Sequence, residues 1–284
     1  MENKKVYEVA APSWIRQTFV MSKYSFTNFF RSKRFFILLL ITIIVGAILT
    51  GIVAYFKPQS FMSSPLSFYS SWWGMAVTFI IILSAVFFGG DAISSEFENK
   101  TGYFLMVNPI RRSSVYFGKL LAAFFAAFLI LLVFTLMTIG NGLYYFGSVP
   151  SLFFESFAFS VLYIAAAMGL TFFFSSVFKS NSMSIIVTII LFLFVFSLVQ
   201  ELVASLAGIE PWFIITYGAQ IIGNVLQSPY PAHVVTTSLH GFKGALTSVT
   251  TYNATIIEGI TIMLVYFIVS VAAGLFIFEN KEFN

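Results

Sequence analysis

Read for apolar and polar positions, the chain is a series of long apolar runs broken by short polar ones. A helix needs about 20 apolar residues to cross a hydrocarbon core of roughly 30 Å. Six runs reach that length: 35–56, 66–90, 120–146, 156–178, 180–200 and 259–278. The fourth and fifth are separated by little more than Lys179, which predicts a tight helical hairpin. An even number of spans places both termini on one side. The pattern therefore predicts an all-α integral membrane protein, one membrane domain over 1–284.

The polar stretches predict smaller elements. After a polar 1–11, Pro12-Ser13 offers a helix start with Ser13 as N-cap. Ile15, Phe19, Phe26 and Phe30 then recur near helical spacing, with Arg16, Lys23, Thr27, Arg31 and Arg34 on the other face. That stripe predicts an amphipathic helix in the membrane interface within 1–34; a plain extension of the first span is the alternative. The long connection 201–258 holds Glu210-Pro211, then a mostly apolar 212–225 with Trp212, Phe213, Ile214, Ile215, Ile221, Ile222 and Val225. These residues predict a short helix lying in the outer interface or dipping into the bilayer. Beyond it come the turn-forming Ser228-Pro229-Tyr230-Pro231 and a Ser/Thr-rich stretch to Thr255.

Composition agrees: 59% of the 284 residues are hydrophobic and 9% charged, against roughly 25% charged in soluble domains. The first apolar run starts too late and runs too long for a cleavable signal, so it reads as a retained span. Cysteine is absent, which excludes disulfides and thiolate metal sites. Charge sets the orientation. Of 15 Lys and Arg, thirteen fall in the tails and the connections after the second and fourth spans; only Lys57 and Lys243 fall on the other side. The positive-inside rule then makes both termini and 91–119 cytoplasmic, in a multi-pass protein of the cell membrane. The net charge of +4 flanks spans rather than forming a nucleic-acid patch.

No span carries a charge near its middle; Glu155, Glu201 and Glu258 sit at span edges. Proton-coupled carriers, ion pumps and intramembrane proteases need reactive or ionisable groups at depth, so these classes are disfavoured. His233 and His240 match no metal-ligand spacing. No G-x-x-x-x-G-K-[ST] loop is present; Gly241-Phe242-Lys243-Gly244 has the wrong order. Asn253-Ala254-Thr255 fits an N-glycosylation acceptor. Gly46, Gly51, Gly74 and Ala165 with Gly169 permit close helix approach, within one subunit or between two.

The one charge-rich interior segment is 91–119. It opens acidic with Asp91, Glu96 and Glu98, turns at Thr101-Gly102, runs through the apolar Tyr103, Phe104, Leu105, Met106 and Val107, breaks at Pro109 and closes basic with Arg111, Arg112 and Lys119. Five apolar residues in an aqueous connection mark a contact surface.

This segment resembles the connection between the second and third spans of type-2 ABC transporter permeases, six-span subunits found mainly in bacterial and archaeal exporters. The resembling features are Asp91, Glu96 with Glu98, Thr101-Gly102, the apolar 103–107, Pro109 with Arg111-Arg112, and Gly118-Lys119. The resemblance implies a permease that pairs with a second copy or a paralogue and with cytoplasmic ABC ATPase subunits. ATP and Mg²⁺ would be held by those subunits, with no cofactor on this chain. It further implies a coupling helix docking in the ATPase through Tyr103, Phe104, Leu105 and Met106, flanked by Glu96, Glu98, Pro109, Arg111 and Arg112. Two other classes stay open: a membrane-anchored assembly or regulatory subunit without a transport path, and a secondary carrier or channel.

Overall fold

A computed structural model of the protein describes residues 13–99, 110–240 and 246–281. Among these, six helices are long and apolar enough to cross a membrane. Helix α1 (Trp14–Arg31) precedes the first span, α2 (Lys33–Phe56). A single turn, α3 (Gln59–Met62), leads into the second span, α4 (Pro65–Gly89). The short α5 (Ser94–Glu98) follows, then the third and fourth spans, α6 (Arg112–Phe146) and α7 (Ser151–Val177). The fifth span alternates between α and π turns: α8 (Asn181–Ile190), a π segment Leu191–Val195, α9 (Phe196–Leu202) and a second π segment Val203–Ala207. Two short helices, α10 (Ile215–Ala219) and α11 (Ile221–Asn224), an antiparallel hairpin of β1 (Val234–His240) and β2 (Leu246–Tyr252), and the last span α12 (Ile256–Asn280) complete the chain.

The caps explain the helix boundaries. The Ser64 hydroxyl accepts from the Ser67 N–H at 3.1 Å, with Pro65 pre-set at the first helical position of α4. Thr255 and Glu258 form a reciprocal capping box that starts α12. Gly147, at φ +65°, closes α6 in the left-handed conformation that glycine adopts without strain. Three bounds differ from the hydropathy reading by five residues or more. The third span starts at Arg112 rather than Leu120, because its first turns pack on α1 and stay helical beyond the apolar run. The fourth starts at Ser151, and the fifth runs past Gln200 to Ser205.

Helix α4 is the centre of the bundle: 78% of its most apolar stretch is buried, against 17% for the fifth span. An aromatic cluster joins it to α6 and α7. Trp72 and Trp73 stack on Phe134 at 5.0 and 5.4 Å, and Trp73 meets Phe153 edge-on at 5.1 Å. The Trp73 indole N–H donates to Ser156 Oγ at 3.0 Å, and that hydroxyl donates to the Ile222 carbonyl. The segment expected as a short helix in the outer interface or dipping into the bilayer is thereby packed inside the protein. Ile214, Ile215, Ile221, Ile222 and Val225 are buried, and only Trp212 and Phe213 stay exposed. Irregular backbone between spans is tolerated when protein surrounds it.

Two features depart from the sequence reading: a hairpin where no strand was expected, and a Ser13 that caps nothing. The Ser/Thr-rich stretch contains the hairpin, with Val234 opposite Tyr252 and Ser238 opposite Ser248. In α1 the buried positions are Gln17, Thr18 and Ser25, while Ile15, Phe19 and Phe30 face outward. The Ser13 side chain makes no capping bond. Small and polar residues face α6 because the two backbones approach closely. A Cβ on Gly118 would stand 2.6 Å from Met21 Cβ and 2.9 Å from the Thr18 carbonyl.

That contact sets a test. Gly118→Val should lower stability by about 2 kcal/mol, read as a lower Tm of the detergent-purified chain. Gly140→Ala, at a helical position with nothing within 4 Å of the added carbon, should leave Tm unchanged or raise it slightly. Equal effects at both positions would mean that the α1–α6 approach contributes nothing specific.

Candidate functional site

The charged residues gather at the end of the bundle where α1 begins and α12 ends, around the two described flanks of the segment expected to couple. Tyr103, Phe104, Leu105, Met106 and Pro109 lie outside the described residues. Glu96, Glu98, Arg111 and Arg112 are described, and each is tied to this chain.

On the acidic flank, Asp91 sits just past α4, one-tenth exposed, and pairs with Arg34 at the start of α2. Glu96 pairs with Lys119, with both side chains nearly buried, and the Lys119 ammonium also donates to the Ala92 carbonyl at 2.6 Å. Glu98 accepts the backbone N–H of Asn181, the first residue of α8, where the helix dipole favours negative charge. The backbone between these acids is held too: Ser175 Oγ accepts from the Ile93 and Ser94 N–H groups at 2.9 and 3.0 Å, and Ser94 Oγ donates to Asn181 Oδ1 at 2.9 Å.

On the basic flank, Arg111 is the extended residue before α6, and its N–H donates to Gln17 Oε1 at 3.1 Å. Arg112 opens α6 and reaches the far terminus of the chain. Its Nη1 donates to the carbonyls of Phe278, Glu279 and Lys281 at 3.3, 2.7 and 3.0 Å, capping α12. Lys281 repeats the device on α7: its Nζ donates to the carbonyls of Ser176, Val177 and Phe178 at 2.7, 2.9 and 3.0 Å. It also lies 4.5 Å over the Phe97 ring. Lys281, Ser94 and Ser175 gave no signal in the sequence, since their partners lie 81 to 105 residues away.

Between α1 and the acidic flank lies a cleft of about 540 Å³, lined by Tyr24, Ser25 and Asn28 on one side and by Asp91, Glu96, Asn99 and Lys119 on the other. The described side chains of the candidate site thus join helix ends to one another. The acidic flank is joined to the start of α8 and the basic flank to the end of α12.

Six apolar spans around a buried α4, with a charged frame at one end, define a multi-pass helical membrane protein. The family model for ABC-2 family transporter proteins matches residues 20–283, nearly the whole chain, and the chain belongs to that family. Comparison with individual curated proteins gives no match. The family is that of transport membrane subunits, so the chain is an ABC permease.

Two tests follow from the geometry. Lys119→Ala removes the ammonium that pairs with the nearly buried Glu96, which should cost on the order of 3 kcal/mol. Replacing both, Lys119→Met with Glu96→Gln, should recover most of that in denaturation of the purified chain; a single variant as stable as wild type would remove the pair from the frame. The second concerns Lys281, whose ammonium is lowered from its ordinary 10.5 to about 8 by burial and then by the Lys179 charge. The unfolded chain therefore holds the extra proton between about pH 8 and 10.5, and stability rises with pH across that window. Wild type should gain Tm there relative to Lys281→Arg, which stays charged; parallel profiles would show that Lys281 does not titrate there.

Proposed function

We propose that the chain is the permease of an ATP-binding-cassette exporter, driven by separate cytoplasmic ATPase subunits that hold ATP and Mg²⁺. The observation that carries this reading is the frame around 100–109: both flanks are fixed on helix ends, by Glu98 on α8 and by Arg112 on α12. A segment so bracketed delivers motion to the spans. The apolar Phe104 and Leu105 would seat in the ATPase, with the neighbouring charges orienting it. The absent phosphate loop places hydrolysis on the partner.

The outward apolar faces of α2 (Leu40, Ile44, Ile48) and of the fifth span (Met183, Ile186, Ile190, Phe194) meet lipid and a second permease copy or a paralogue. Helix α1 lies in the interface with Ile15, Phe19 and Phe30 toward the acyl chains. The Lys and Arg distribution puts both termini in the cytoplasm and the hairpin outside.

Orientation is checked on the naturally cysteine-free chain. A membrane-impermeant thiol probe should label Ser228→Cys in intact cells and spare Ser180→Cys; the reverse pattern would overturn the reading. Coupling is checked by Phe104→Ala, which should weaken ATPase binding roughly thirtyfold, or about 2 kcal/mol, with the permease's own Tm unchanged. Unaltered binding with a lowered Tm would show that the segment packs on the permease itself. ATPase binding without any stimulation by substrates would favour an assembly subunit.

A further inference from the structure

At the end of the bundle opposite the charged frame, the fold brings together three residues that are distant in sequence. Glu210 follows the fifth span, His233 precedes β1, and Glu258 lies in the first turn of α12. One ligand atom from each lies within 4.8 Å of the others. All three are partly accessible, with side-chain exposures between 26% and 39%.

Each is also held from behind. Tyr217 donates its hydroxyl to Glu210 Oε1 at 2.7 Å. Burial, then the Glu210 carboxylate, push that phenol well above its ordinary range, so it stays a donor. The Thr255 N–H donates to Glu258 Oε2 at 2.9 Å. His233 Nδ1 faces the Asn253 carbonyl at 2.9 Å. A carbonyl only accepts, so in the neutral imidazole Nδ1 carries the hydrogen and Nε2 presents a lone pair. That lone pair faces another acceptor, Glu210 Oε2, at 3.4 Å. Two acceptors at this separation repel unless something positive lies between them.

The separation is informative. Two ligands about 2.1 Å from a tetrahedral ion stand roughly 3.4 Å apart. An imidazole turned outward by a backbone carbonyl, and a carboxylate oriented by a phenol, are the supports that metal ligands use. We propose that Glu210, His233 and Glu258 form a divalent transition-metal site of the Zn²⁺ class that clamps the foot of the hairpin to the last span. Glu258, already within 4.8 Å, completes it through the carboxylate oxygen other than the one Thr255 holds, and water takes the fourth position. One imidazole nitrogen with two carboxylate oxygens suits Zn²⁺ better than Ca²⁺, which takes six to eight oxygens.

The experiment uses the untagged, chelator-treated full chain in detergent, with Zn²⁺ alone as probe. Calorimetry should show one Zn²⁺ bound per chain, and Tm should rise on addition. Glu210→Gln, which keeps size and shape, should weaken binding about tenfold or more, as should His233→Ala, with Tm in chelator close to wild type for Glu210→Gln. Absence of a Zn²⁺ response, a response kept in both variants, or an equal response to Ca²⁺ would overturn the site. Stabilisation by acid alone, with no effect of Zn²⁺, would also overturn it, by showing that a proton fills the gap.

Discussion

A helix that ends inside a protein leaves its last carbonyls without partners, and at the charged end of this bundle two cations supply them. Arg112 holds the final carbonyls of α12, and the residue just past α12, Lys281, holds those of α7. The third, sixth and fourth spans are therefore joined in series, each through the terminus of the next. Glu98 makes the complementary contact at a helix start, on the Asn181 N–H of α8. Hydrogen bonding to the terminal backbone and the helix dipole both favour charge here, and at Lys281 burial opposes them. The frame depends on backbone groups that no side-chain substitution elsewhere can remove.

The opposite end is built differently. There the links are hydroxyls and indoles: Trp73 to Ser156 to the Ile222 carbonyl, and Thr216 to Gln200 at 2.8 Å. They hold α10 and α11 among α4, α7 and α12, where an unpaired backbone would be costly. Neutral links are weaker than ionic ones but shorter in reach, so they fix a buried element where a long cationic side chain would not fit. One end of the bundle is thus tied mainly through ions on helix ends, and the buried helices near the other mainly through neutral side chains.

The six spans were legible because a run of about 20 apolar residues has few other uses. The hairpin had a signal that composition obscured: Val234, Val235, Thr236 and Thr237 face Val249, Thr250, Thr251 and Tyr252, β-branched and aromatic residues suited to a pleat. Reading that stretch as Ser/Thr-rich hid it. The candidate site was half legible. Glu96, Glu98 and Arg112 could be picked out as charges amid hydrocarbon, but not their partners, because Arg112 meets Glu279 across 167 residues and Glu98 meets Asn181 across 83. Glu210, His233 and Glu258 fall outside local motifs for the same reason: topology, not spacing, brings them together.

Helix α1 carries the most general lesson. Its stripe of Ile15, Phe19 and Phe30 and its basic Arg16, Lys23 and Arg31 are all exposed, and a third face with Gln17, Thr18 and Ser25 is buried. The choice of buried face follows from packing. Around a membrane protein, apolar surface gains little by leaving hydrocarbon, so burial is decided by close packing and by polar groups seeking partners. Gly118 lets the α1 backbone approach, Gln17 finds the Arg111 N–H and Trp14 finds Ser113 at 3.2 Å. Phe19 and Phe26 line one cleft with Phe125 and Phe128 of α6. Periodicity showed the stripe but not which face packs on the bundle, because Gly118 and polar partners distant in sequence decide that.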